Sequence, residues 1–339
     1  MRGSRRLRGS LRWAVVALLL DLAIACGGSG GTPTQPSSPA QTTSSIGDTY
    51  LRALLTLMQT NSVNRLRINW TDFQNQVLAK SPGATTISAT FPAIQLALGL
   101  LDDHHSFYIM ANNAGAIGNP SFPAGCSIAV PDDFVVPADV GYLRIPEFGG
   151  TDVAGFAASL QAAIRTRDGG NLAGWIVDLR GNFGGNMWPM IAGVGPILGN
   201  GPAGYFVSPD GSSVEWGYRT GASYSGGGTV VSVTNPYELA RPTPRVAVIT
   251  DKRVASSGEA VAVAFRGRPD TRTFGTDTCG LPSANANYTL SDGAVLVLTT
   301  AHDADRTRRE YDAPLSPDET IADPAALLTR VVAWLRTGR

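Results

Sequence analysis

The chain has 339 residues, 43% hydrophobic and 16% charged, with 27 basic side chains against 27 acidic ones. That length and apolar content suit one large folded domain or two modest ones, and exclude a disordered or collagen-like chain. Net zero charge with interspersed signs excludes a dedicated nucleic-acid binder, which needs a basic face.

Residues 1–26 read as an export signal. Arg2, Arg5, Arg6, Arg8 and Arg12 precede the apolar run Trp13 to Leu20, and small residues lead into Cys26. The run is too short to span a bilayer comfortably, and Asp21 interrupts it. A cysteine directly after small residues resembles the lipidation point of bacterial lipoproteins. Cys26 is therefore the expected attachment site of a lipid anchor in the cell envelope, with plain secretion as the alternative. Residues 27–45 are rich in Gly, Ser, Pro and Thr and read as a flexible tether.

A helical N-terminal region is expected over 46–108. Apolar residues recur at helical spacing from Thr49 to about Lys80, where Ser81-Pro82-Gly83 breaks the pattern, and again from Ile87 to Leu101. Residues 109–339 read as the core. Val140 to Pro146 alternates as a strand, Val153 to Arg167 has helical spacing, and Gly174 to Arg180 is a short apolar run typical of a buried strand. A glycine-rich turn precedes a helix from Met187 to Leu198. A strand at Arg245 to Thr250 leads into Ala255-Ser-Ser-Gly-Glu259 and a helix to about Phe265. Further strands are expected at 271–274, 286–290 and 294–299, and a last helix at Pro324 to Arg336. Strand–helix alternation at this spacing argues for an α/β core.

Only three histidines (His104, His105 and His302) and two lysines (Lys80 and Lys252) are present. A general base working near neutral pH must come from that short list or be a perturbed carboxylate. Ser256 follows a strand and opens a helix, where free N–H groups and the positive end of the dipole favour a nucleophile and its oxyanion. Ser256-Ser-Gly-Glu259 is equally the pattern of a capping box. In Asp178-Leu-Arg-Gly-Asn-Phe-Gly-Gly185, two glycines after a buried strand can turn backbone N–H groups into a cleft, although a plain turn has the same composition. Asp102-Asp-His-His105 offers a base, or is a plain surface turn. As a metal site it lacks a further His or Cys at ligand spacing, so no metal is expected.

These three motifs in order, together with Gly141 to Phe148 and Thr273 to Leu281, resemble the tail-specific (C-terminal processing) serine peptidases. The Ser–Lys branch places its lysine just after a Gly-x-x-Thr-x-Gly run. Gly275-Thr-Asp-Thr-Cys-Gly280 is followed by Leu281, and Lys252 lies on the wrong side of the serine. Leu101-Asp-Asp-His-His105-Ser106 instead resembles the histidine turn of the tricorn-like and retinoid-binding-protein-like branch. About 30 residues separate Tyr108 from Val140, too few for the PDZ domain many relatives carry there.

The resemblance implies a ClpP/crotonase-like α/β core with a small helical N-terminal region, acting on peptide or protein substrates without a cofactor. It implies Ser256 as nucleophile, His105 as base, and an oxyanion hole from the N–H of Gly184 or Gly185 with that of Ser257. The glutamate this branch often places six residues before its late Pro-Asp is replaced by Tyr311, with Glu310 beside it. Glu310 and Ser106 are the candidates for orienting the histidine. An esterase, or a binding protein for apolar ligands on the same fold, are the alternatives. With Cys26 lipidated, Cys126 and Cys279 remain, either as a disulfide in an oxidising compartment or as two buried thiols. A bridge would crosslink segment 112–139 to the turn beyond the serine's helix and hold it over the cleft.

Overall fold

Three helices open the computed structural model, which describes residues 45–339: α1 (Ile46–Asn61), α2 (Trp70–Lys80) and α3 (Phe91–Leu100). The export signal, Cys26 and all but the last residue of the tether lie outside the described residues. The helical spacing read over 49–80 falls on two helices. Helix α1 ends at its C-cap Ser62, and Asn69 starts α2 by accepting from the N–H of Asp72. Among the described residues no helix is long and apolar enough to cross a membrane.

The strands and remaining helices follow as β1 (Phe107–Ile109), β2 (Ala116–Ile117), β3 (Val140–Arg144), α4 (Val153–Arg167), β4 (Gly174–Asp178) and α5 (Met187–Leu198). Next come β5 (Gly201–Val207), β6 (Ser213–Arg219), β7 (Ala222–Ser225), β8 (Gly228–Ser232), β9 (Val246–Thr250), α6 (Ser257–Phe265) and β10 (Thr271–Gly275). The chain closes with β11 (Ser283–Thr289), β12 (Val295–Asp305), β13 (Glu310–Tyr311), β14 (Glu319–Thr320) and α7 (Pro324–Thr337).

Two sheets result. One is parallel throughout, in the order β14-β10-β9-β4-β3. Its central strands are buried on both faces, which is why they read as unbroken apolar runs. Trp175 and Val177 face α4, α5 and α6, while Ile176 on the same strand faces Val331 and Trp334 of α7. The other sheet is antiparallel, in the order β2-β1-β12-β5-β6-β7-β8, with β11 and β13 also paired to β12. The first three helices bury Leu51, Leu54, Met58, Phe73, Ile94 and Leu98 against Leu296 and Leu298 of β12. The meander β5–β8 has no counterpart in the sequence-based expectations. Its alternation is interrupted by glycines at 201, 204, 211 and 217.

The topology prepares a site. In open parallel sheets, ligands bind beyond the carboxyl ends of the strands. Here β4, β9 and β10 are neighbours in register (Asp178 beside Ile249, Thr250 beside Gly275), so the loops that follow them emerge side by side.

Trp175, 1% exposed, fills the space beside Gly141, where a Cβ would come within 2.5 Å of the indole. Trp175→Ala is expected to destabilise the fold by about 3–5 kcal/mol, read as a lowered urea midpoint at unchanged slope.

Candidate active site

Ser256 stands between β9 and α6 with φ 53° and ψ −121°. An ordinary helix N-cap is extended, whereas this positive φ is a conformation that L-residues avoid, costing about 1–3 kcal/mol. The capping-box glutamate is in place, since Glu259 Oε2 accepts from the N–H of Ser256 at 3.0 Å. The backbone at Ser256, however, belongs to a sharp strand-to-helix turn of the kind that presents a nucleophile. The residue is partly exposed.

The glycine loop lies against it. A Cβ on Gly184 would stand 3.0 Å from Ser256 Cβ and 3.1 Å from Ser257 N, so only glycine permits this approach. The N–H of Gly184 itself is taken, donating to Asn182 Oδ1 at 2.9 Å. Of the two glycines expected to supply an oxyanion donor, Gly184 thus has its N–H already engaged. Gly185 is the better placed. Its neighbours bond to Phe148 (Phe148 N–H to Gly184 O, Asn186 N–H to Phe148 O), which turns the peptide groups of Gly185 the other way. Gly185 O accepts from Ser257 Oγ at 2.6 Å, fixing that side of Gly185 toward the serine turn. The N–H of Ser257 is the first of α6 and one of the four a helix cannot satisfy internally.

His105 is 6% exposed in the turn before β1. Asp103 holds that turn by accepting from the N–H groups of His105 and Ser106 at 3.0 and 2.9 Å and from Ser106 Oγ. The ring is oriented from elsewhere, because Nδ1 lies 2.8 Å from Ser283 Oγ at the start of β11. This corrects the two expected orienting groups. Ser106 Oγ is engaged with Asp103 and with the N–H of Thr299, and so steadies the turn rather than the ring. Glu310 is exposed on β13, paired opposite Ala304. Tyr311 donates to Asp305 Oδ2 at 2.7 Å.

Glu259 joins these parts. Fully buried, it accepts from the N–H groups of Ser256, Gly280 and Leu281 and from Thr278 Oγ1. Leu281 O in turn accepts from the N–H of Ser283 at 2.8 Å, so one carboxylate links the nucleophile turn to the segment that holds the histidine. Lys252 donates to the carbonyls of Thr278 and Cys279 at 3.0 and 3.3 Å and clamps the same segment. Cys126 and Cys279 form a disulfide with Cα atoms 5.3 Å apart. His104 is exposed, its Nε2 3.9 Å from Asp102 Oδ1. Among the described residues no group of three or more His, Cys, Asp and Glu is arranged to hold a metal ion.

Burial moves the titrating groups. It lowers the His105 pKa to about 4, well under the histidine range. It raises Glu259 to about 7 against the opposing effect of its four donors. Asp303 on β12 is 1% exposed, neither of its oxygens has a hydrogen-bond partner, and burial with the nearby charge of Glu259 raises it to about 8.

Residues 139–321, more than half of the chain, match the model of peptidase family S41. The chain is 28% identical over 319 residues to a nisin-resistance protein of Lactococcus lactis subsp. lactis, covering 93% of each. Its fold matches that of a lipoprotein from Streptococcus agalactiae with a TM-score of 0.66 at 22% identity, over 86% of this chain and 96% of that one. It also matches the photosystem II D1 C-terminal processing protease with a TM-score of 0.56 at 17% identity, over 84% and 96%. At those identities the two structures share the fold.

Two outcomes follow from this geometry. Ser256→Gly removes the positive-φ penalty, so it should raise stability by about 1 kcal/mol in urea while abolishing reaction with a serine-directed phosphonate. In the unfolded chain Glu259 and Asp303 lose their protons near pH 4, whereas the folded protein keeps them to about 7 and 8. The folded state therefore binds more protons across that window. Its stability from these groups is complete below about pH 4 and is lost as pH rises through 7 to 8. The urea midpoint should fall between pH 5 and pH 8, and Asp303→Asn should flatten that fall.

Proposed function

The chain belongs to peptidase family S41, and on that premise we propose that it is an exported serine endopeptidase that cleaves through an acyl-enzyme on Ser256 with His105 as base. The observation that carries this reading is the convergence at the α6 N-terminus. A strained, accessible serine stands beside the outward-turned Gly185 and the first N–H of a helix, tied through Glu259 and Leu281 to the support of a histidine ring.

In the proposed cycle, His105 Nδ1–H donates to Ser283 Oγ, which leaves the Nε2 lone pair to take the Ser256 proton as Oγ attacks the carbonyl carbon. Negative charge collects on the former carbonyl oxygen, where the N–H groups of Ser257 and Gly185 are the available donors. Collapse of the adduct breaks the C–N bond, and His105 returns the proton to the departing amine. Water, activated by the same ring, then releases the acyl group. Each donor lost from the hole costs about 10²–10³ in turnover.

A binding protein that has lost catalysis is disfavoured by Ser283, which takes the orienting place left by the absent glutamate. An esterase would use the same groups and is separated by comparing matched ester and amide substrates. Export with a lipid anchor at Cys26 or by secretion is consistent with the lipoprotein among the fold's relatives. The relative named for nisin resistance makes nisin the first peptide to test.

Phosphonate labelling and peptide cleavage should be present in the wild type, abolished in Ser256→Ala, and retained in measurable part in Ser257→Ala. With the base buried, the acid limb of kcat/KM should lie near pH 4, below the 6–7 expected of a solvated histidine. A limb near 7 that disappears in Glu259→Gln belongs to that carboxyl instead. Labelling of Ser256→Ala, or full activity in His105→Gln, would overturn the assignment.

A further inference from the structure

Residues 118–139 run to the start of β3 without forming helix or strand. The two ends of this segment are held elsewhere, Asn119 donating to Leu98 O of α3 and Asp139 pairing with Arg336 of α7, but its middle is anchored on the loops that build the candidate site. The Phe122 ring is 6.0 Å from that of Phe183, the residue before the glycine pair. Cys126 is bonded to Cys279. Ile128 O accepts from Arg253 Nη1 beside the serine loop, and Phe134 lies under the Arg180 guanidinium at 3.8 Å.

Beneath this strap sits a small apolar cluster of the disulfide, Ala255 and Leu281, with Phe183 packed on it. Ala255 precedes the nucleophile, and Leu281 bonds to Glu259 two residues before the support of His105. Phe122 is 40% exposed and Phe183, with the Arg253 guanidinium 5.1 Å over its ring, partly so, which leaves aromatic surface open at the edge of an otherwise polar centre. Apolar surface left open next to polar reactive groups marks a place where a ligand is covered.

Resting on the peptidase reading above, we infer that Phe122 and Phe183 form the subsite for an apolar side chain of the substrate beside the scissile bond. The Cys126–Cys279 bridge holds that subsite in place. Phe183 is fixed by the glycine loop. Phe122 belongs to a segment with no secondary structure of its own, four residues from its covalent tether. The specificity of the enzyme thus depends on a crosslink that forms only under oxidising conditions.

The test uses quenched peptides identical except for one residue beside the cleavage point, Leu or Phe against Ser or Gln. Wild type should prefer the apolar members by about 10- to 100-fold in kcat/KM, the range one apolar pocket provides. Phe122→Ser should reduce the preference to under about threefold, mainly through KM, and Phe122→Leu should restore most of it. The double variant Cys126→Ala/Cys279→Ala should resemble Phe122→Ser. A cooperative unfolding transition establishes that each variant folds, and the Phe122 pair carries the test if the disulfide variant does not. An unchanged preference in Phe122→Ser, or an equal loss on all peptides, overturns the subsite. Affinity of the same peptides for Ser256→Ala reads the preference without turnover. Apolar preference there with no cleavage by wild type sustains the subsite and rejects the chemistry, whereas cleavage without preference does the reverse.

Discussion

The buried carboxylate of Glu259 is the interaction on which the rest of the site depends. A carboxylate in a protein interior is costly unless nearly all its acceptor positions are filled. Glu259 fills them from separate segments, taking the N–H of Ser256 from one and the donors at Thr278, Gly280 and Leu281 from another. The charge-assisted bond to Ser256 N–H helps offset the positive φ that aims the serine. The bonds to 278–281 fix a loop with three further connections: Lys252 clamps its carbonyls, Cys279 carries the crosslink, and Ser283 follows on to the histidine ring.

That arrangement has an electrostatic consequence. Asp303 lies on the inner face of β12 with no donor at either oxygen, near enough to Glu259 to feel its charge. Two such carboxyls cannot both ionise without further destabilising a low-dielectric interior. As pH rises Glu259 therefore ionises first, near 7, and its charge helps keep Asp303 neutral to about 8. Burial likewise keeps His105 unprotonated far into the acid range.

The sequence was most legible where one physical rule dominates. Helices α4 and α5 fall at the residues expected because Asp152 and Asn186 cap their starts and apolar spacing runs unbroken between the bounds. The parallel strands were legible because burial on both faces makes them continuous apolar runs. The meander β5–β8 was not legible because glycines and short, partly exposed strands break the alternation. Ser283 escaped for another reason. It is an unremarkable serine whose place beside His105 is set by the pairing of β11 with β12, a relation between segments 178 residues apart. The choice between Gly184 and Gly185 was likewise closed to a reading of spacing, since it turns on which N–H the Asn182 side chain occupies.

Ser256, Ser257 and Gly185 belong to loops of the parallel sheet, whereas His105 and Ser283 open strands of the antiparallel one. The separation of Ser256 from His105 is therefore an inter-sheet distance, sensitive to any slip of one layer on the other. Hydrophobic packing alone holds such layers with little directional preference. Glu259 supplies the direction. Its bonds to 280 and 281 tie α6 of the first layer to the segment that becomes β11 of the second. The disulfide then fixes the same segment to the strap that crosses the loops of the parallel sheet. A lysine base drawn from the neighbourhood of the serine would need no such alignment. In this chain Lys252 donates to carbonyls of the joining segment and so helps hold the stretch that leads to Ser283 and the His105 ring.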